Sequence, residues 1–392
     1  MKRLLLSLSL LTLLVTPALA VVNKGAPSYG VLQGERIEPY TIEASKLPAV
    51  HIVTPSVLRE RREGHHPEID ARIDYLKEHP ETIDIASLRQ FTLDTNSSGA
   101  LAASPLAPTL GTQFEGIIQG PYQPTEPTVA VGPLNIFSAG NVSVTFTNKD
   151  GTNRVETNGA TFFGVPTAEG DISDAQCFYD ALRGRFIATC FTEGDASTGS
   201  STNFNYYYLA ISKTNDCRGA WWIYKLDMTK DGTTQTTNWS DYESLGLSDD
   251  KIAISGQQFS FSAGSYQYQK VRIMDRATLY AGGAVTYKDF VNFNASTNDQ
   301  NDIFVTKAAR NLTAGDNTIH LFCVRTGGGS NVTYREITGA PASAVLGTSY
   351  AVPTSAYTAP TNATQKGSTT TVATNDCRPS DFYVRNGVLT VA

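Results

Sequence analysis

The stretch Gln176-Cys-Phe-Tyr-Asp180, then Ala-Leu-Arg-Gly, then Arg185-Phe-Ile-Ala188 reads as two short apolar runs around a polar turn. Aromatic and β-branched residues on either side of Asp and Gly are the residue types of an antiparallel hairpin, with side chains alternating between two faces. The same plan recurs. Pro127-Thr-Val-Ala-Val-Gly132 leads to Phe137-Ser-Ala139, and Lys251-Ile-Ala-Ile-Ser255 leads to Phe259-Ser-Phe-Ser-Ala263. Asp381-Phe-Tyr-Val-Arg385 turns at Asn386-Gly387 into Val388-Leu-Thr-Val-Ala392.

Second strand pairs follow these hairpins. Tyr206-Tyr-Tyr-Leu-Ala-Ile-Ser212 leads into Trp221-Trp-Ile-Tyr-Lys-Leu226, and Val271-Arg-Ile-Met-Asp275 and His320-Leu-Phe-Cys-Val324 take the same role later. Anchors at Val129, Phe178, Ile252 and Phe382 are 49, 74 and 130 residues apart, and the longest gap fits two units, one of them over roughly 302–345. Two hairpins per unit is the pattern of four-stranded propeller blades, whereas a β-sandwich would not repeat one plan. The expected fold class is therefore all-β: a β-propeller of four-stranded antiparallel blades over residues 113–392, with about four and a half blades present. The chain stops after the first hairpin of its last unit, which leaves the ring incomplete and implies a fragment of a six- or seven-bladed ring, the alternatives being a partner chain at the open edge or a short open form.

Composition agrees with strands and turns. Of 392 residues, 41% are apolar and only 17% charged, which is too apolar for a disordered chain. The net charge of −6 argues against nucleic acid, whose phosphates need a basic face.

Residues 1–20 read as a secretory signal: Lys2 and Arg3, the apolar run Leu4 to Val15, and Ala18-Leu-Ala20 as the cleavage site. The 12-residue run falls short of the roughly 20 residues of a membrane span. The expected product is secreted, extracellular or periplasmic, with no membrane span. Residues 21–92 form an N-terminal arm with short helices, where Ile69, Ile73 and Leu76 share one helical face after Pro67. The pair His65-His66 lies in a charged loop without a third ligand, so solvation is its default. Residues 93–112, rich in Ser, Ala, Pro and Gly, form a linker. Of the five cysteines, Cys177 and Cys190 flank the first hairpin and are the most plausible disulfide in an oxidising compartment.

Residues 113–392 resemble a set of secreted bacterial β-propeller proteins, largely of unassigned function. The resemblance is carried by Glu126-Pro-Thr-Val-Ala-Val-Gly-Pro133, Phe178-Tyr-Asp-Ala-Leu-Arg-Gly-Arg-Phe186, Tyr208-Leu-Ala-Ile-Ser-Lys-Thr-Asn-Asp216 and Trp239-Ser-Asp-Tyr242. It implies the fold and brings no catalytic residues with it. Ser212-Lys-Thr-Asn-Asp216-Cys-Arg-Gly219-Ala-Trp221 looks like a lengthened Asp-box of sialidase propellers, which implies a structural turn with Asp216 capping, Gly219 at positive φ and Trp221 packed between blades.

The chemistry is thinner. A sialidase-like site needs clustered arginines, and Arg183 and Arg185 fall in a turn where they are solvated by default. His320 is the one histidine of the β region, alternates against Ile319 and Leu321 and is expected to point away from the core, so neither a Ser-His-Asp system nor a zinc site is supported. Calcium is the more credible ion, with Asp299 and Asp302, or Asp249 and Asp250, as oxygen-rich candidates; otherwise no cofactor is expected. Sugar rings stack on aromatic faces, which makes Tyr207, Trp221, Trp222 and Trp239 candidate ligand-binding residues. The expectation is a non-catalytic extracellular binding or surface-interaction protein whose ligand is carbohydrate or protein. The alternatives are a sialidase-like or other glycan-processing hydrolase and a structural component of an envelope assembly.

Overall fold

The computed structural model describes residues 30–50, 111–118, 125–195, 200–292, 305–324, 328–374 and 377–391, with the short pieces 59–60, 120 and 122–123. The signal pattern, the helix expected over 68–76, His65-His66 and most of the linker lie outside these residues.

The chain is mostly β, built as successive up-and-down sheets. The first runs through Thr128–Val131, Asn135–Ala139, Ser143–Asn148 and Val155–Asn158. The second runs through Ser173–Asp180, Arg185–Gly194, Phe204–Ser212 and Ala220–Asp227. Its first hairpin is the quoted stretch: Phe178 faces Ile187, Arg185 faces Asp180, and the turn closes on Gly184 at φ 64° with Asp180 Oδ1 accepting the Leu182 N–H.

The third sheet comprises Asn238–Leu247, Lys251–Ser260, Tyr266–Asp275 and Val285–Val291. The fourth starts at Lys307–Ala308 and continues with Ile319–Val324 and Gly328–Thr338, against which Val345–Leu346 and Tyr350–Thr358 both pair. It occupies the interval where the spacing places an unmarked unit. The hairpin Phe382–Arg385 and Val388–Val391 follows, tied back by the parallel pair Arg310–Tyr383.

Each sheet packs face to face on the next. Phe137, Phe146, Phe162, Phe186 and Trp221 fill the space between the first and second sheets, and Phe191, Tyr207, Leu209, Ile254 and Met274 the space between the second and third. Val271, Ile273, Leu321 and Ile337 join the third to the fourth, and Phe322 with Phe382 joins the fourth to the terminal hairpin. That serial packing of meanders, with their first strands turned to one centre, is propeller-like. Burying such aromatic side chains contributes about 1.5–3 kcal/mol each before the entropy of ordering them is subtracted.

Charged groups are buried between the second and third sheets as well. Arg272 holds Asp289 through two bonds of 2.8 and 2.9 Å, and the Tyr287 ring lies 3.6 Å from its guanidinium carbon. Lys270 Nζ reaches Asp231 and two main-chain oxygens, and burial lowers its pKa.

The helical arm needs correction where it is described. Gly30–Ile37 adds an antiparallel strand beyond Val285–Val291, and Tyr40–Glu43 adds one beyond Ala220–Asp227. These segments alternate in exposure, so the open edges of two sheets accept them as strands, leaving only the single turn Ala44–Lys46 as helix. His320 is also corrected: it is buried, with Nδ1 2.6 Å from the Tyr334 hydroxyl and Nε2 3.3 Å from Asp316. The neighbouring strand covers the face that alternation assigns to solvent.

Candidate active site

A cavity of about 490 Å³ opens where the first strands of the sheets converge. Glu126 and Thr128 line it from the first sheet, Asp174 and Gln176 from the second, Glu243 and Leu245 from the third, Lys307 from the fourth, Arg310 from a short strand pairing Leu247 with Tyr383, and Asp381 from the start of the terminal hairpin. Asp174, Glu243 and Asp241, the last standing behind the wall, each bring a carboxylate oxygen within 4.8 Å of the other two.

The backbone departs from regular strand at these positions. Asp174 has φ 48°, Glu126 φ 47° and Tyr242 φ 53°, left-handed values that cost about 1–3 kcal/mol each in side-chain-bearing residues. Tyr242 belongs to a bulge: Asp241 pairs with Gln257 and Ser244 with Ser255, so Tyr242 and Glu243 together face Gly256 alone. Neighbouring sheets hold these conformations. The Asp174 N–H donates to Asn141 Oδ1 at 2.7 Å, and the Asn141 N–H donates to the Thr125 carbonyl at 3.0 Å. The Glu243 carbonyl accepts from Gln176 Nε2 at 2.6 Å and from Lys307 Nζ at 3.2 Å. Ser244 exchanges hydrogen bonds with the Ala308 main chain at 3.1 and 3.3 Å.

The electrostatics follow from burial. Neither carboxyl oxygen of Glu243 meets a hydrogen-bond partner, and only 2% of the residue is exposed. Burial raises the Glu243 pKa well above the ordinary range; the residue's own main-chain N–H opposes, the Asp241 carboxylate raises it further, and Lys307 opposes as well. Asp174 is raised by burial first, then by Glu243 and by its contact with Glu126. Carboxylates this close cannot all ionise, so they titrate as a unit and hold a proton above the ordinary carboxylate range. Burial lowers Lys307 in turn.

Among the described residues, Asp174, Asp241 and Glu243 form the one group with three side chains placed to hold a metal ion. Their oxygens suit a hard cation, and the set lacks the His or Cys of a zinc site. Lys307 already places an ammonium against the Glu243 main chain, which favours proton chemistry over a second cation there.

The residues singled out from sequence lie elsewhere. Tyr207, Trp221 and Trp239 are fully buried, and Trp222 is half-buried beneath Lys213, whose Nζ sits 3.3 Å from its ring centre. Tyr207 and Trp239 lie on strands buried on both faces, whereas Ala220–Asp227 alternates, burying Trp221 and leaving Trp222 partly exposed. Trp221 packs between sheets as the Asp-box likeness implies, 5.3 Å from Phe137 and 5.2 Å from Phe162. Asp216 accepts the Arg218 N–H, but Gly219 is not among the positive-φ glycines. Asp249 is engaged by Arg183 at 2.6 Å and Asp250 by Lys251 at 2.6 Å, while Asp299 and Asp302 lie outside the described residues. Cys177 and Cys190 are not bridged; Cys177 Sγ lies 3.6 Å from Thr128 Oγ1 and 3.9 Å from the Phe137 carbonyl.

No protein-family model matches the chain, and no curated protein does. Among solved structures, an exo-β-1,3-galactanase from Clostridium thermocellum aligns at 11% identity and a TM-score of 0.34, covering 62% of this chain and 51% of that one. An exo-β-1,3-galactanase from Phanerochaete chrysosporium, solved with galactose, aligns at 10% identity and a TM-score of 0.31, covering 59% and 51%. The chain thus spans about half the length of these neighbours. Three of the four aromatic residues assumed to form a binding platform are buried, while a carboxylate cluster lines the cavity, so the expectation of a non-catalytic binder is set aside. No helix among the described residues is long and apolar enough to cross a membrane.

Proposed function

We propose that the chain is a glycoside hydrolase, with the four sheets and the terminal hairpin as successive blades around its active site. One observation carries this reading: Asp174 and Glu243 bring carboxylate oxygens within 4.8 Å of each other at the wall of a cavity, with the Glu243 carboxyl buried and without a hydrogen-bond partner. Hydrolysis of a glycosidic bond needs a carboxylic acid to protonate the leaving oxygen and a second carboxyl group to act as base or nucleophile at the sugar carbon. Glu243, the more deeply buried, is the acid; Asp174, half-buried at the cavity wall, is the partner; Asp241 raises both through its charge. An exported enzyme acting on extracellular glycans agrees with the signal pattern of residues 1–20.

The test is a panel of aryl glycosides and oligosaccharides, β-1,3-galactotriose among them, assayed with the wild type, Glu243→Gln and Asp174→Asn. The expected result is turnover of at least one member and, on oligosaccharides, a fall in kcat/KM of about 10²–10⁴ in each variant. Undiminished turnover in both variants would overturn the assignment.

A further inference from the structure

Glu243 follows the left-handed Tyr242 in a bulge, a conformation the strand would relax if nothing held it. One side chain from the neighbouring sheet grips it at two points. Gln176 Nε2 donates to the Glu243 carbonyl at 2.6 Å, and Gln176 Oε1 accepts the Leu245 N–H at 3.0 Å. Lys307 Nζ donates to the same carbonyl at 3.2 Å. The donors that reach Glu243 from neighbouring sheets are thus spent on its main chain, and its carboxyl oxygens are buried without a hydrogen-bond partner.

An amide suits this position chemically. The site asks for a donor toward Glu243 and an acceptor toward Leu245 from one planar group; a carboxylate lacks the donor, and an aliphatic side chain lacks both. Gln176 is half-buried at the cavity, so core packing alone does not call for it.

We propose that Gln176 is a positioning residue: its clamp on the main chain of Glu243 and Leu245 holds the bulge that presents the Glu243 carboxyl to the cavity and keeps other donors from it. The catalytic part rests on the hydrolase reading; the clamp itself does not. The titratable groups facing Glu243 are Asp174, Asp241, Glu126, Lys307 and Tyr207, and the variants leave all of them unchanged.

The experiment compares Gln176→Ala, Gln176→Met and Gln176→Glu with the wild type on a glycoside that the wild type turns over. In parallel, ¹³C NMR of carboxyl-labelled glutamate follows the titration of Glu243, assigned by its disappearance in Glu243→Gln. Met keeps the side-chain volume, so a folding defect of the smaller variant does not decide the outcome. For Ala and Met, kcat is expected to fall about 30-fold or more with KM within about 3-fold, because misplacing a reacting group costs rate rather than binding. The Glu243 midpoint is expected to move by about one pH unit. Gln176→Glu is expected to resemble Met at pH 8 and to recover toward the wild type below about pH 5, where a protonated carboxyl again both donates and accepts.

Wild-type kcat together with a wild-type Glu243 titration in Gln176→Met would overturn the proposal. If the wild type hydrolyses no glycoside, the hydrolase reading fails, and the NMR titration still decides whether Gln176 governs the surroundings of Glu243.

Discussion

Gln176 and Glu243 lie on the first strands of adjacent sheets, and the Gln176 amide nitrogen is 2.6 Å from the Glu243 main-chain oxygen while the Glu243 carboxyl oxygens meet no partner. The two facts belong together. A buried carboxylate without a donor costs several kcal/mol, whereas the neutral acid costs far less, so the proton stays. A main chain held by Gln176 and a carboxyl buried without a hydrogen-bond partner favour the protonated acid in a fixed position.

The pH dependence follows from the raised pKa values of Asp174 and Glu243. Activity is expected to rise as the carboxylate unit loses its first proton and to fall as it loses the second, with the alkaline limb above the ordinary carboxylate range. Asp241→Asn removes one of the charges that raise Glu243, so the alkaline limb should move to lower pH by about one unit. A profile of kcat/KM against pH for both proteins checks this.

Stability carries the same signature with a definite sign. The folded protein holds the Glu243 proton to higher pH than the unfolded chain does, so this residue's contribution is complete below the unfolded pKa of about 4.3 and is lost as pH rises through the folded value. Glu243→Gln cannot ionise. Its Tm should exceed that of the wild type by about 2 °C or more at pH 8 and converge with it near pH 4.

Much of the scaffold was legible locally. The quoted hairpin pairs Phe178 with Ile187 and turns at Asp180 and Gly184, because turn chemistry and alternation act over a few residues. The site was not. Asp174, Asp241 and Glu243 meet because strand starts about 70 residues apart are brought to one centre, which is a property of sheet packing. Two acids one residue apart in Ser240-Asp-Tyr-Glu-Ser244, within an otherwise buried strand, were the signal available. The bulge at Tyr242 is invisible to alternation. Tyr207 and Trp239 were misjudged for a related reason: a strand covered on both faces hides both sets of side chains.

Tyr207 and Trp221, both fully buried, should behave as core residues of unequal weight. Trp221→Ala removes a ring packed on Phe137 and Phe162 and should cost about 3–5 kcal/mol. Tyr207→Phe loses one 3.2 Å hydrogen bond to Ser240 and should cost about 1 kcal/mol. Denaturant titration of the two variants separates these values.

Cys177 is buried, and burial pushes its thiol up to about 12. It should therefore resist an aromatic disulfide reagent in the native state and react once the chain is unfolded. A reductant should leave Tm unchanged, since Cys177 and Cys190 are not bridged.

The most direct test of the central claim is the leaving-group dependence of Glu243→Gln on a hydrolysed glycoside series. An acid that protonates the departing oxygen matters little for a nitrophenolate and greatly for an alkoxide. The account predicts a fall in kcat/KM of about tenfold or less with nitrophenyl glycosides and of about 10³ or more with alkyl glycosides or oligosaccharides. An equal loss across the series, or none, would contradict the assignment of Glu243 as the acid.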